Sequence, residues 1–171
     1  MEILVLNGSP RLNGNTTAMI DAFAEGAREK GHEVNIIPVG QKKIVGCLGC
    51  EFCHTRGNGQ CVQKDDMSEV YKKLETADML VIASPIYFHS ITGQLQSAIT
   101  RIYAPRKPRK VSQTALFLSS GAPGVYNPAI QQYKRVINYF EAEDKGIKTV
   151  YGSNNKSASM LADMKTFGKS L

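Results

Sequence analysis

Ile3-Leu4-Val5-Leu6-Asn7-Gly8-Ser9-Pro10-Arg11-Leu12-Asn13-Gly14-Asn15-Thr16-Thr17 is the stretch that decides how this chain folds. Its four consecutive apolar residues describe a strand buried on both faces, as in a parallel sheet under two layers. A loop rich in Gly, Ser, Pro and Asn follows. Then Met19, Phe23 and Ala27, with Ile20 and Ala24 beside them, mark one face of a helix. Asn15 suits the N-cap of that helix and Gly31 its C-terminal stop.

The same alternation repeats outward along the chain. Val34 to Ile37 reads as a second strand, and Pro38 after it belongs at a sheet edge or a strand end. Residues 40 to 64 form an irregular stretch that holds all four cysteines. Asp65 to Ala77 is predicted helical, with Val70 and Leu74 four apart. Met79 to Ala83 is a third buried strand, and a loop runs from Ser84 to Ser90. Ile91 to Tyr103 reads as a helix with Leu95, Ile99, Ile102 and Tyr103 on one side. Ala115 to Leu118 is a fourth strand, Ser119 to Asn127 its loop, and Pro128 to Phe140 a helix with proline near its start. Ile147 to Tyr151 is a fifth strand and Asn155 to Phe167 a last helix.

Five strands alternating with five helices predict an α/β fold with a parallel sheet covered on both faces. The 171 residues fit one domain, given about 150 residues per domain as a prior. In such sheets ligands bind outside the carboxyl ends of the strands, so the loops after the first, third and fourth strands are the places to search.

Composition narrows the function classes. Apolar residues make up 42% and charged residues 21%, which excludes a disordered chain, a collagen-like repeat and a small disulfide scaffold. No apolar run approaches the roughly 20 residues needed to span a bilayer, so no membrane association is expected. Met1-Glu2 leads straight into the first strand without a basic region or a small-residue cleavage site. No secretion signal is therefore expected, and the cytoplasm is the expected location. The net charge is +6, and removing the four cations of Arg106-Lys107-Pro108-Arg109-Lys110 leaves +2. The basicity is therefore local and reads as a solvated loop. Nucleic-acid binding would want cations interleaved with aromatic residues or spread along a helix, so none is expected.

Two loops carry the chemistry. Gly8 to Thr17 lacks the Gly-Lys-Ser/Thr of a Walker loop and does not match Gly-x-Gly-x-x-Gly. It offers the hydroxyls of Ser9, Thr16 and Thr17, the Asn15 amide, Arg11 and the unpaired N–H groups of a helix start. That set suits a phosphate. Ser84-Pro85-Ile86-Tyr87-Phe88-His89-Ser90 places consecutive ring-bearing side chains at the end of a buried strand. A flat, partly apolar ligand can lie against such a surface. Both loops leave the same edge of the sheet, which implies a ligand with a phosphate and a planar ring.

Gly8-Ser9-Pro10-Arg11-x-x-Gly14-Asn15-Thr16 together with Ser84-Pro85-Ile86-Tyr87-Phe88 resembles the NAD(P)H-dependent FMN reductase family of flavodoxin-like proteins. The resemblance covers roughly residues 1 to 125; the remainder matches in general pattern. It implies a flavodoxin-like three-layer sandwich with a five-stranded parallel sheet in the order 2-1-3-4-5. The second strand then lies at an edge, in agreement with Pro38. It implies that Ser9, Arg11, Asn15, Thr16 and Thr17 hold the FMN phosphate. Pro85, Ile86, Tyr87 and Phe88 would line the isoalloxazine, with Ser120 and Gly121 approaching from the other side. It also implies a homodimer or homotetramer in which Tyr87 and Phe88 meet a partner surface.

Cys47, Cys50, Cys53 and Cys61 lie within 15 residues, spaced Cys-x2-Cys-x2-Cys-x7-Cys. This segment, with Lys64-Asp65-Asp66-Met67 after it, resembles the compact cysteine motif of the iron–sulfur flavoproteins, which implies these four as ligands of a 4Fe–4S cluster. The residues by themselves leave three readings open: a cluster, one tetrahedral zinc ion, or free or redox-active thiols in a reducing compartment.

The expected function is an oxidoreductase passing electrons from NAD(P)H through FMN to a small acceptor such as a flavin or quinone. The flavin does the chemistry and the protein positions it, so no general acid or base is assigned. The alternative is an iron–sulfur flavoprotein that carries electrons between protein partners such as a ferredoxin-like protein.

Overall fold

The computed structural model describes residues 1–171. The strands are β1 (Glu2–Asn7), β2 (Glu33–Ile37), β3 (Met79–Pro85), β4 (Gln113–Ser120) and β5 (Glu143–Tyr151). They form one sheet in the order β2-β1-β3-β4-β5, and every pairing is parallel. The helices are α1 (Asn15–Glu29), the single turn α2 (Phe52–Thr55), α3 (Met67–Leu74), α4 (Gly93–Arg101), α5 (Asn127–Phe140) and α6 (Ala158–Lys169).

Alternation along β1 shows why its apolar run is continuous. Leu4 and Leu6 join Leu80, Ile82, Leu116 and Leu118 under α3, α4 and α5. Ile3 and Val5 join Met79, Val81, Ala115 and Phe117 under α1 and α6. Successive side chains point to opposite faces, and both faces are dry, so every position from Ile3 to Leu6 is apolar and only the strand's two ends are polar. β2 lies at one edge, where Pro38, lacking an N–H, ends its pairing.

The elements differ from the sequence expectation chiefly at their ends. The helix expected from Asp65 begins at Met67, because the Asp65 carboxylate turns back to accept from the Met67 N–H at 3.2 Å. The helix expected from Ile91 begins at Gly93, because Thr92 caps it and accepts from the Leu95 N–H at 3.3 Å. The last helix begins at Ala158 rather than Asn155. Ser157 caps it, and Gly152–Asn154 form a 3-10 turn instead. α1 starts at Asn15, one residue after its N-cap Gly14, and the cap makes no side-chain hydrogen bond. β5 starts four residues before Ile147. Its first half is polar and largely exposed at the sheet edge, with a bulge against Thr114 and Ala115 that leaves no apolar period to read.

α1 and α6 cross in close contact. A Cβ on Gly26 would lie 2.0 Å from the Lys165 carbonyl oxygen, and one on Gly168 would lie 2.2 Å from that of Phe23. Phe23, Phe117 and Phe167 pack beside this crossing with ring centroids 5.1 to 6.0 Å apart. Gly26→Ala is therefore expected to force the two helices apart and cost about 3 kcal/mol, read as a lowered urea midpoint; an unchanged midpoint would contradict the crossing.

Candidate functional site

Four loops leave the carboxyl ends of β1, β3, β4 and β5 and enclose a groove of about 310 Å3. Of the residues expected to bind a ligand, Ser9, Arg11, Asn15, Thr16, Pro85, Ile86, Tyr87, Ser120 and Gly121 line it. Thr17 and Phe88 do not.

The first loop is held from inside. The Ser9 N–H donates to Asn7 Oδ1 at 2.9 Å, and the Arg11 N–H donates to Ser9 Oγ at 3.2 Å. Gly8 can lie against α4 only without a side chain, since a Cβ would meet that of Leu95 at 2.7 Å. The backbone N–H groups of Leu12, Asn13, Asn15, Thr16 and Thr17 have no acceptor within the chain. They gather at the start of α1, where the helix dipole adds partial positive charge, and Arg11 stands beside them. Thr17 acts one layer behind the groove: its hydroxyl accepts from Asn7 Nδ2 at 3.2 Å and donates to the Arg11 carbonyl at 3.4 Å.

The second loop is a tight turn. Tyr87 and Ser90 exchange N–H to carbonyl hydrogen bonds at 2.9 and 3.1 Å. Phe88 and His89 between them both have positive φ, 46° and 64°. Two bulky residues in the left-handed region are strained, and the turn throws Phe88 outward until its side chain is 99% exposed. Phe88 therefore does not line the groove in this chain; Pro85, Ile86 and Tyr87 do.

Cross-links fix the loops against one another. Thr16 Oγ1 lies 2.8 Å from Ser119 Oγ, both residues being buried. The Ile86 N–H donates to the Ser119 carbonyl at 2.8 Å. Thr92 Oγ1 donates to the Gly8 carbonyl at 2.8 Å. Gly14, part of the first-loop motif, also lines the groove, as do Ser119, Gly152 and Asn155, which the sequence did not single out. Ser119 reaches it because β4 pairs with β3 and Asn155 because β5 pairs with β4, relations that no local pattern states.

The cysteine segment lies against the C-terminal end of α4, where the Cys47 N–H donates to Thr100 Oγ1 at 3.3 Å. Arg101, 1% exposed, donates from Nη1 to Asp65 Oδ2 at 2.8 Å and from Nη2 to Asp65 Oδ1 at 3.1 Å. Its Nη1 also meets the Val45 carbonyl at 2.8 Å. Partial burial acts to raise the Asp65 carboxyl. The bonds from Arg101 and from the Val45 and Met67 N–H groups outweigh it and hold Asp65 below its ordinary value. All four cysteines line a cavity of about 20 Å3, yet no three Cys, His or acidic side chains in the chain converge closely enough to hold a metal ion. Partial burial and the nearby Cys61 push the Cys53 thiol up. The basic run behaves as a surface loop: Lys107 pairs with Glu141, and Lys110 Nζ lies 3.8 Å from Asp78. A wider, mainly polar cavity of about 790 Å3 lies between this run, α3 and Cys61, well away from the loop groove.

A model of NADPH-dependent FMN reductases matches residues 1–143 of this sequence. The chain belongs to that family. It is 41% identical over 104 residues to an iron-sulfur flavoprotein of Methanocaldococcus jannaschii, covering 61% of this chain and 52% of that one. It is 25% identical over 174 residues to the putative NAD(P)H-dependent FMN-containing oxidoreductase YwqN of Bacillus subtilis, covering 95% and 91%. The chain spans about half the length of the iron-sulfur flavoproteins it matches. A flavodoxin structure from the domain Archaea superposes with a TM-score of 0.65 at 16% identity, over 99% of this chain and 95% of that one. The fold is flavodoxin-like, with the strand order expected from the two loops.

The loop cross-links and the buried ion pair each set a measurement. In a double-mutant cycle of Thr16→Val and Ser119→Ala, the coupling is expected to be about 1 kcal/mol, because either single change strands a buried hydroxyl; zero coupling in urea denaturation would show that the loops are held otherwise. Asp65 has a depressed carboxyl, so its stabilisation is present above its unfolded value, about 3.9, and is lost as pH falls through the lower folded value. Asp65→Asn is expected to cost about 3 kcal/mol at pH 6, with the two proteins converging in stability as the pH drops below that range.

Proposed function

We propose that this chain is an FMN-dependent oxidoreductase that takes electrons from NAD(P)H and passes them to a small acceptor such as a flavin or quinone. The observation that carries this reading is the two-ended groove. Unpaired N–H groups and Arg11 stand at one end, Pro85, Ile86 and Tyr87 form an apolar wall at the other, and the Thr16–Ser119 bond holds the ends together.

The residues present fit FMN. Asn155 Oδ1 is buried at the groove with no donor inside the chain. Gly14 leaves room beside Ser9, whose Oγ would lie 3.1 Å from a Cβ there. The N–H groups of Asn15, Thr16 and Thr17 would bind the phosphate, with Arg11 adding a charge-assisted bond. Ile86 and Tyr87 would exclude water from one side of the ring, and Ser120 and Gly121 would bound the other. FMN when bound supplies hydride and single-electron chemistry; the chain supplies position and electrostatics. The family match and the YwqN relative support an oxidoreductase. The exposed Phe88, held out by a strained turn, suits contact with a second copy of the chain in a homodimer or homotetramer.

The test is anaerobic. Protein reconstituted with FMN is expected to bind one flavin per chain and to bleach with excess NADH or NADPH. Flavin that stays oxidised with both would defeat the reductase reading.

The four-cysteine spacing favours a second reading, an electron carrier holding a 4Fe–4S cluster. Four thiols on one loop match a cluster in number and chemistry, and the loop would have to draw them together around it, since no three converge on a metal position here. The relatives named iron-sulfur flavoproteins support this reading as well. Cys47, Cys50, Cys53 and Cys61 would be the ligands, and the cluster would supply one-electron transfer to a ferredoxin-like partner. Anaerobically isolated protein is then expected to contain about four iron and four sulfide per chain and to be reduced faster by ferredoxin than by NAD(P)H. One zinc per chain, or four thiols titrating freely, would exclude the cluster.

A further inference from the structure

The family match ends at residue 143, and the segment after β5 has no part assigned to it. Two of its residues carry unmet chemistry: Asn155 lines the groove, and Lys156, just outside the lining, reaches the loop after β1. Asn155 Nδ2 donates to the carbonyls of Ser120 at 2.9 Å and Gly152 at 3.0 Å. Two carbonyls can be met only by the amide nitrogen, so the orientation of the amide is settled and Oδ1 is the acceptor left over. That oxygen is buried without a donor, and the residue lines the groove.

Lys156 follows with φ at 61°, a left-handed conformation that a lysine adopts at a cost. From there its Nζ reaches the Asn13 carbonyl at 2.7 Å, 143 residues away in sequence and in the middle of the phosphate-binding loop. Fixing an exposed lysine to one neutral carbonyl returns little for the rotamer freedom lost. An ammonium has three donors, and two of these remain for another acceptor. The N–H groups without acceptors, on Leu12, Asn13, Asn15, Thr16 and Thr17, flank that same carbonyl.

We propose that Asn155 and Lys156 form a clamp across the groove. Lys156 binds the phosphate of the flavin nucleotide, and Asn155 Oδ1 accepts from a hydroxyl or ring N–H of the same ligand. The proposal rests on the groove being the FMN site and adds to it the residues that select the phosphorylated flavin. Lys156 brings a second cation to the loop that carries Arg11, which strengthens the grip on a dianion, whereas riboflavin gains nothing from it.

The experiment compares Kd for FMN and for riboflavin, measured by flavin fluorescence on the full chain stripped of flavin, at low and high salt. Lys156→Met is expected to weaken FMN about tenfold, to leave riboflavin unchanged and to flatten the salt dependence of FMN binding. Lys156 is exposed, so an unchanged thermal melt is expected and separates lost recognition from lost fold. Lys156→Arg keeps the charge and is expected to bind FMN more tightly than Lys156→Met. Asn155→Ala is expected to weaken both flavins alike, because the group it meets is common to them. A Lys156→Met protein with the wild-type ratio of FMN to riboflavin affinity overturns the clamp and leaves the groove assignment standing. Wild-type protein that binds neither flavin overturns both.

Discussion

A parallel sheet covered on both faces leaves only the ends of its strands near water, and everything functional in this molecule follows from that constraint. The loops at the carboxyl ends of β1, β3, β4 and β5 form the groove, and they must be held together without a hydrophobic layer of their own. The chain does this with polar cross-links: Thr16 to Ser119, Ile86 to Ser119, Thr92 to Gly8 and Asn155 to Ser120. Ser119 is the meeting point, taking a side-chain bond from the first loop and a backbone bond from the loop after β3. Buried hydroxyls are costly when unpaired and directional when paired. They therefore hold the groove open at one shape, where apolar packing would close it.

The cysteine segment is governed by a different interaction. It has little apolar content of its own, and four exposed or half-exposed thiols cannot anchor it. The Arg101–Asp65 pair does so from beneath, with the Val45 carbonyl as a third partner. A buried ion pair is weak evidence for stability in general but strong for register, since both charges are stranded if the segment slides. The segment is therefore positioned by its ends, with its four thiols left around one small cavity.

The groove and the cysteine cavity share no lining residue, and the two assignments are independent. The groove reading needs only the strand-end loops, and the cysteine reading only the stretch between β2 and α3. The basic run bears on neither: half of it pairs with Glu141 and Asp78 at the surface.

Periodicity by itself determined the α/β class and the number of strands, because burial on both faces demands an unbroken apolar run; the edge position of β2 came from the family resemblance, with which Pro38 agreed. The loop suited to an anion was legible for the same local reason: a strand, glycines, hydroxyls and a helix start lie in one continuous stretch. Tertiary structure alone decided the partners that come from elsewhere in the chain. Ser119 reaches the groove because β4 pairs with β3 and Asn155 because β5 pairs with β4; Lys156 reaches the Asn13 carbonyl across 143 residues, and Arg101 finds Asp65 across 36. Phe88 shows the converse. Its residue type suited a ring pocket, but the left-handed turn at Phe88 and His89 turned it to solvent, because backbone conformation, and not composition, sets where a side chain points.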